Sequence, residues 1–275
     1  MKLIRRIFIH GALAATLTLM LTPVVNAASD NDEASLHALV TEAMNPVGMM
    51  VKVPLQNNFD FGVGPNKVTQ YTLDLEPIIP ITLNEDWNLI ARAVIPIISQ
   101  PSTGPGEPNV DGLGDINPSI FLSPAKSHGH FWGIGPTFTL PTGTSPQLTS
   151  GQWSVGPAAV YLATPGPWMI GAFASQQWSV GGWSDRNVNL TTIQPMIIYH
   201  LPKGWYLVSI PVITANWEAD ANDRWTVPVG GGVGKIVKVG KMPLNLQVQA
   251  FYNVERPRDS SNWQFRFQML FLFPE

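Results

Sequence analysis

The chain has 275 residues, with 16 Lys and Arg against 19 Asp and Glu, so charged residues make up only 13%. A soluble domain usually carries about 25%. Three of the basic residues, Lys2, Arg5 and Arg6, lie in the first six positions; without them the balance is 13 against 19, which leaves no footing for nucleic acid. The absence of cysteine excludes a disulfide frame, a thiolate nucleophile and a cysteine-held metal, and 24 Gly plus 25 Pro exclude long helices.

The first element in chain order is an export signal. Lys2, Arg5 and Arg6 precede an uncharged run over 7–21, and Val25-Asn26-Ala27 offers small residues at a cleavage site. The expectation is a signal peptide over 1–27, with an uncleaved anchor as the competing reading because 7–28 carries no formal charge. Residues 28–46 read as an N-terminal periplasmic tail with a short helical pattern over 34–44, ended by Asn45-Pro46.

From 47 to 275 the pattern has period two. Trp263, Phe265, Phe267, Met269, Phe271 and Phe273 alternate with Gln264, Arg266, Gln268, Leu270 and Leu272. Tyr71, Leu73 and Leu75 alternate with Thr72, Asp74 and Glu76, and Leu244 to Tyr252 alternate with Asn245, Gln247 and Gln249. Such alternation marks strands with one apolar face. A soluble sandwich gives it too.

Strands are expected near 48–61, 67–82, 87–99, 114–123, 130–140, 153–164, 168–179, 188–200, 205–217, 225–235, 242–252 and 262–273. Mostly tight turns and mostly longer loops alternate between them: 84–86, 124–129, 165–167, 201–204 and 236–241 against 100–113, 141–152, 180–187, 218–224 and 253–261, with 62–66 the short exception among the latter. That asymmetry belongs to up-and-down outer-membrane barrels, whose short turns are periplasmic. No later segment could cross a membrane as a helix, so a spanning chain must close as a barrel. The tryptophans agree. Trp87, Trp132, Trp168 and Trp205 follow tight turns, while Trp153, Trp178, Trp183, Trp217, Trp225 and Trp263 fall at the long-loop ends. Two girdles are what a bilayer's interfaces favour. The expected fold is therefore all-β, an antiparallel barrel of about 12 strands, in contact with outer-membrane lipid. Prolines 54, 77, 96, 118, 136, 157, 195, 211 and 228 fall inside these strands, where local bulges are expected.

The ordered stretches Leu83-Asn84-Glu85-Asp86-Trp87-Asn88-Leu89, Gly112-Leu113-Gly114-Asp115-Ile116, Gly135-Pro136, Leu140-Pro141-Thr142, Gly156-Pro157, Trp178-Ser179-Val180-Gly181, Gln194-Pro195, Trp225-Thr226-Val227-Pro228 and Leu272-Phe273-Pro274 resemble a known family. It is the outer-membrane barrel family named for the meta-cleavage pathway of phenol degradation. The resemblance runs from about residue 46 onward. It implies an outer-membrane barrel associated with uptake of small, aromatic or hydrophobic solutes, and brings no catalytic residue. Outer-membrane barrels commonly end on an aromatic residue read by the barrel-assembly machinery; here Pro274-Glu275 follow Phe273.

Other chemistry reads weakly. Gly230-Gly231-Gly232-Val233-Gly234-Lys235 departs from a phosphate loop, with Val229 in place of the first Gly and Ile236 in place of Ser or Thr. Asp111 and Asp115, with Asn109 and Asn117, lack the spacing of a calcium loop. His128 and His130 lack a third ligand for zinc. His37, His128, His130 and His200 are misplaced for a lipid hydrolase at the outer rim. No cofactor is expected.

The candidate lumen face is Asp74, Glu76, Arg92, Gln247, Gln249, Gln264, Arg266 and Gln268, with Thr72 and Asn88. It can line a solute path or form a self-satisfied polar plug in a structural barrel. If the turn at 84–86 places Leu83 opposite Trp87, Arg92 faces Ile78 and lies diagonally beside Glu76, forming a charged cluster at mid-height.

Overall fold

A computed structural model describes residues 30–104, 106, 108–240 and 242–273, with side chains from residue 33. The expected signal peptide lies outside the described residues. The chain divides into two compact units at Asp32/Glu33, and the architecture below is that of Glu33–Glu275.

Period-two alternation becomes strands along the whole unit: β1 (Val51–Val63), β2 (Val68–Leu75), β3 (Ile78–Thr82), β4 (Trp87–Gln100), β5 (Val110–Leu113), β6 (Asn117–Pro124), β7 (His130–Thr139), β8 (Gln152–Ala163), β9 (Trp168–Gly182), β10 (Asn189–His200), β11 (Trp205–Ser209), β12 (Ile213–Asn216), β13 (Trp225–Val239), β14 (Met242–Glu255) and β15 (Trp263–Phe273). Segments β2 and β3, β5 and β6, and β11 and β12 each form one interrupted crossing. The result is a closed antiparallel barrel of 12 strands. Closure is made by β1 and β15, paired from Val51↔Phe273 to Phe61↔Trp263. No described helix is long and apolar enough to cross a membrane.

The prolines behave differently from the expected bulges. A register shift falls at Pro228, between Val227↔Glu255 and Pro228↔Asn253. The register against β4 also slips by one residue between β5 and β6, just before Pro118. Pro77 and Pro211 interrupt their strands yet leave the register unchanged on both sides. Pro136 and Pro157 face each other in an unbroken β7–β8 ladder. A missing N–H removes one bond; it does not by itself require an extra residue.

The turn at 84–86 has the expected register. Leu83 N–H donates to Trp87 O at 3.0 Å, and Ile78↔Arg92 and Thr82↔Asn88 are paired. Asn84 Oδ1 holds the turn by accepting from the N–H groups of Asp86 and Trp87.

The helical pattern over 34–44 is realised as α1 (Asp30–Met44), but the segment does not behave as an external tail. Val40, Ala43, Met44 and Val47 are buried in one cluster with the inward-facing Ile90, Leu162, Ile198, Ile236, Leu270 and Leu272. The helix plugs the barrel at its short-turn end. An apolar stripe must find apolar partners, and the lower lumen supplies them. Asn45 caps the exit, its Oδ1 accepting from Val47 N–H at 3.1 Å.

Candidate functional site

The lumen has two chemistries along one set of strands. On β15 the inward residues run from Gln264, Arg266 and Gln268 to Leu270 and Leu272, from the long-loop end to the short-turn end. On this strand polar residues are therefore confined to the upper part of the inner face. Lower down the wall is apolar because it receives α1.

Arg92 Nη2 lies 2.8 Å from Glu76 Oε2, with both side chains mostly buried. The Arg92 guanidinium also sits 5.9 Å from the Phe173 ring centre, and its Nε has no hydrogen-bond partner among the described residues. Asp74 accepts from Asn58 Nδ2 at 2.8 Å. Asn58 Oδ1 in turn accepts from Arg266 Nε at 3.2 Å, and Arg266 Nη1 reaches the carbonyl of Ile210 at 2.9 Å. Gln249 Oε1 takes the Ile210 N–H at 2.9 Å. The interruption at Pro211 is thus held from inside, because both backbone groups of Ile210 turn to lumen side chains instead of the ladder. Gln247 accepts from the Tyr206 hydroxyl at 3.2 Å, and Gln268 lies opposite Gln247. Gln264 faces Asp60, whose carboxylate accepts from Ser261. Thr72 lies beside this belt, paired with Asn58, and Asn88 is buried opposite Thr82 near the short-turn end.

Where the polar belt meets the end of α1, a cavity of about 100 Å3 remains, lined by Glu76, Arg92, Gln194, Arg266, Phe173 and Met44 among others. The lower face of the cavity is latched. Lys52, fully buried, donates from Nζ to the carbonyls of Glu42 and Asn45, each at 2.6 Å, and lies 3.3 Å from Glu42 Oε1. A cation on the last carbonyls of a helix satisfies orphan acceptors and complements the dipole. His37 stacks on His200 with ring centres 3.8 Å apart, and Glu33 accepts from Lys203 N–H at 2.9 Å.

Lys52, Asn58, Asp60 and Tyr206 did not stand out in the sequence. The signal for the first three was present: Lys52, Pro54, Gln56, Asn58 and Asp60 share one parity in β1, and in this barrel that parity points inward. Tyr206 looked like one more apolar strand residue, yet it is wholly buried and its hydroxyl donates to Asn245 Oδ1 at 2.6 Å.

The tryptophans lie at the two ends of the wall. Trp87 and Trp132 pack edge-on at 6.0 Å, while Trp168 lies 4.7 Å from Tyr199 and Trp205 lies under Lys235, all toward the short turns. Trp217 and Trp225 form a second edge-on pair, and Trp263 packs on Tyr252 at the long-loop end. Trp153 and Trp178 are exposed on the same rim.

The weaker motifs resolve into structure. Asp115 accepts from Gly143 N–H, Ser150 N–H and Ser150 Oγ, tying two loops together, and Asp111 accepts from Ser99 Oγ. His130 bonds Tyr161 at 2.7 Å, and among the described residues no serine hydroxyl bonds a histidine. The glycine run lies in β13. A Cβ at Gly234 would meet the Tyr206 ring at 2.1 Å, and one at Gly232 would meet Val248 O at 1.8 Å. Close packing accounts for it.

No protein-family model matches the chain, and no curated protein sequence matches it. Among solved structures it is similar to an outer membrane channel from Pseudomonas putida F1, with a TM-score of 0.62 at 17% identity over 82% of this chain and 94% of that one. It is more distantly similar to outer membrane phospholipase A from Escherichia coli, with a TM-score of 0.44 at 15% identity over 86% of this chain and 98% of that one. A FadL homologue from Pseudomonas aeruginosa gives 0.41 at 10% identity, over 88% and 93% respectively. The first likeness establishes a shared fold, that of an outer-membrane β-barrel.

Proposed function

We propose that the protein is an outer-membrane channel for small solutes, closed at its periplasmic end by its own N-terminal helix. The observation that carries the reading is the division of the lumen. A polar belt of Asp74, Glu76, Arg92, Gln247, Gln249, Gln264, Arg266 and Gln268 stands above an apolar chamber occupied by Val40, Ala43 and Met44. A path through both halves suits a solute with an apolar body and few polar groups, which agrees with the aromatic or hydrophobic solutes implied by the family resemblance. In this reading the chain is exported by a cleaved signal and folded by the barrel-assembly machinery of a Gram-negative cell. It sits in the outer membrane with its short turns and both ends periplasmic, and the two tryptophan rims lie at the lipid interfaces.

A second reading, a silent structural barrel, draws on the depth of the plug, since Val40 is 1% exposed. Planar bilayers separate the two. The channel reading expects discrete conductance from the full chain, and a larger one from Val40→Asp, which places a carboxylate in the apolar cluster of the lower lumen. Silence from both folded proteins would leave the structural reading.

A further inference from the structure

The Gly135-Pro136 and Gly156-Pro157 motifs have no part in the lumen site, and their effect is on the opposite face of the wall. The registers of β6–β7, β7–β8, β8–β9 and β9–β10 set Ile120, Pro136, Pro157, Gln176 and Thr191 side by side on the outside. One pleat closer to the short turns stands a second outward row: Leu89, Leu122, Ile134, Ala159, Ala174 and Ile193. Lipid-facing positions usually carry bulky side chains, yet the middle of both rows is Pro and Ala. The wall is sunk there into an open groove of about 1060 Å3. Small-ligand pockets run to about 1,000 Å3. Five interstrand steps of about 4.8 Å make the groove about 24 Å long.

The two ends differ. At one end Leu89 lies two residues from Trp87, at the short-turn rim, and its neighbour Leu122 is also apolar. At the other end Gln176 and Thr191 are polar and face outward. Trp217 Nε1 donates to Thr191 Oγ1 at 2.7 Å, Thr191 donates to Gln176 Oε1, and Gln176 Nε2 donates to Asn189 Oδ1 at 2.8 Å. Over Trp217, at 5.0 Å from its ring centre, lies the Arg224 guanidinium, whose Nε is buried without a hydrogen-bond partner among the described residues. The neighbouring Asp223 is already engaged by Arg258 through Nε and Nη2. Glu218 and Asp220 share the loop and are exposed, so the loop has no net positive charge and the contact available to an anion there is the Arg224 guanidinium beside Trp217.

We infer that the groove holds an acyl chain of a phosphate-bearing glycolipid of the outer leaflet, lipopolysaccharide in chemical type. Its chain lies along Pro157, Ala159 and Ala174, its polar linkage is at Gln176 and Thr191, and its phosphate is on Arg224. A groove that is apolar along its length and polar at one end matches an amphiphile with one head. The inference rests on the reading that the long loops face outward from an outer membrane.

Native mass spectrometry of the full chain, delipidated in detergent and titrated with purified lipopolysaccharide, tests it. Two variants accompany the parent: Ala159→Leu plus Ala174→Leu, which fills the groove, and Arg224→Gln, which removes the guanidinium. The parent should keep one lipid, and each variant should bind at least ten-fold more weakly while keeping the heat-dependent electrophoretic shift of a closed barrel. Equal binding by all three proteins overturns the site. So does equal retention of a zwitterionic phospholipid by the parent, or a parent dimer that the leucines abolish. Conductance should be the same in all three, because none of these residues faces the lumen; a failed lipid site therefore leaves the channel reading standing.

Discussion

Arg92 on β4 and Glu76, in the break between β2 and β3, are sixteen residues apart and meet at 2.8 Å because the turn at 84–86 sets Leu83 against Trp87. Every pair down that hairpin follows from one hydrogen-bonded closure, and a one-residue slip would turn Arg92 to the lipid. An arginine at the bilayer midplane costs about 2–4 kcal/mol, so the slip is selected against. The same argument fixes the inward parity of Asp74.

The pair makes the first prediction. Arg92→Gln alone leaves Glu76 charged in a mostly buried lumen, and losing one partner of a buried pair costs about 3–5 kcal/mol. Glu76→Gln plus Arg92→Gln should recover most of that loss in urea unfolding. If the pair shapes a solute path, the folded double variant will also change single-channel conductance or ion selectivity. Unchanged conductance would assign the pair to scaffolding.

Lys52 makes the second. Its ammonium holds the end of α1 through two carbonyls and Glu42. Lys52→Met keeps the apolar stem and removes all three contacts. The helix should lose about 3 kcal/mol of docking free energy, near the low end for a buried pair because Glu42 is one-quarter exposed. A thiol at Ala43, buried in the parent, should become reactive in the Lys52→Met background, and conductance should rise. A thiol equally protected in both would show that apolar contacts alone retain the plug.

Gly234→Ala tests the packing account of the glycine run. The added methyl would lie 2.1 Å from the Tyr206 ring. That ring cannot retreat cheaply, since it is fully buried and its hydroxyl is bonded to Asn245 and Gln247. A loss of about 1–3 kcal/mol is expected, the range for overpacking. Tyr206→Phe should cost about 1–3 kcal/mol by stripping Asn245 Oδ1 of its donor. Denaturant midpoints of the refolded barrels give both numbers.

Orientation is checked by labelling intact cells. Asn222 and Lys126 are both exposed, at the long-loop and short-turn ends respectively. A cysteine at 222 should react with an impermeant reagent and one at 126 should not. The opposite pattern inverts the topology.

The strands themselves were written in the sequence. Alternation over 263–273, the turn chemistry of Asn84 and the placing of ten tryptophans at strand ends are local or periodic features. They hold wherever the chain goes, so the twelve crossings, their order and the Leu83–Trp87 register follow without coordinates. So does the inward parity of Asp74, Glu76, Arg92 and Arg266, because charge facing lipid is costly at every such position.

Three features had no local signal. Leu270 and Leu272 share the parity of Gln264 and Arg266, so only the insertion of α1 explains why an inward face ends in leucine. The inward parity of Lys52 is legible, but its partners, the carbonyls of Glu42 and Asn45, have no local signal and meet it only when α1 enters the barrel. The outer groove needs Pro136, Pro157 and Ala174, which are neighbours only after the β7–β8 and β8–β9 registers are set. Period and turn chemistry act over a few residues and are legible in one dimension. What fills a lumen or hollows a wall is settled by shape and burial between segments distant in sequence, and that is decided only when the barrel closes.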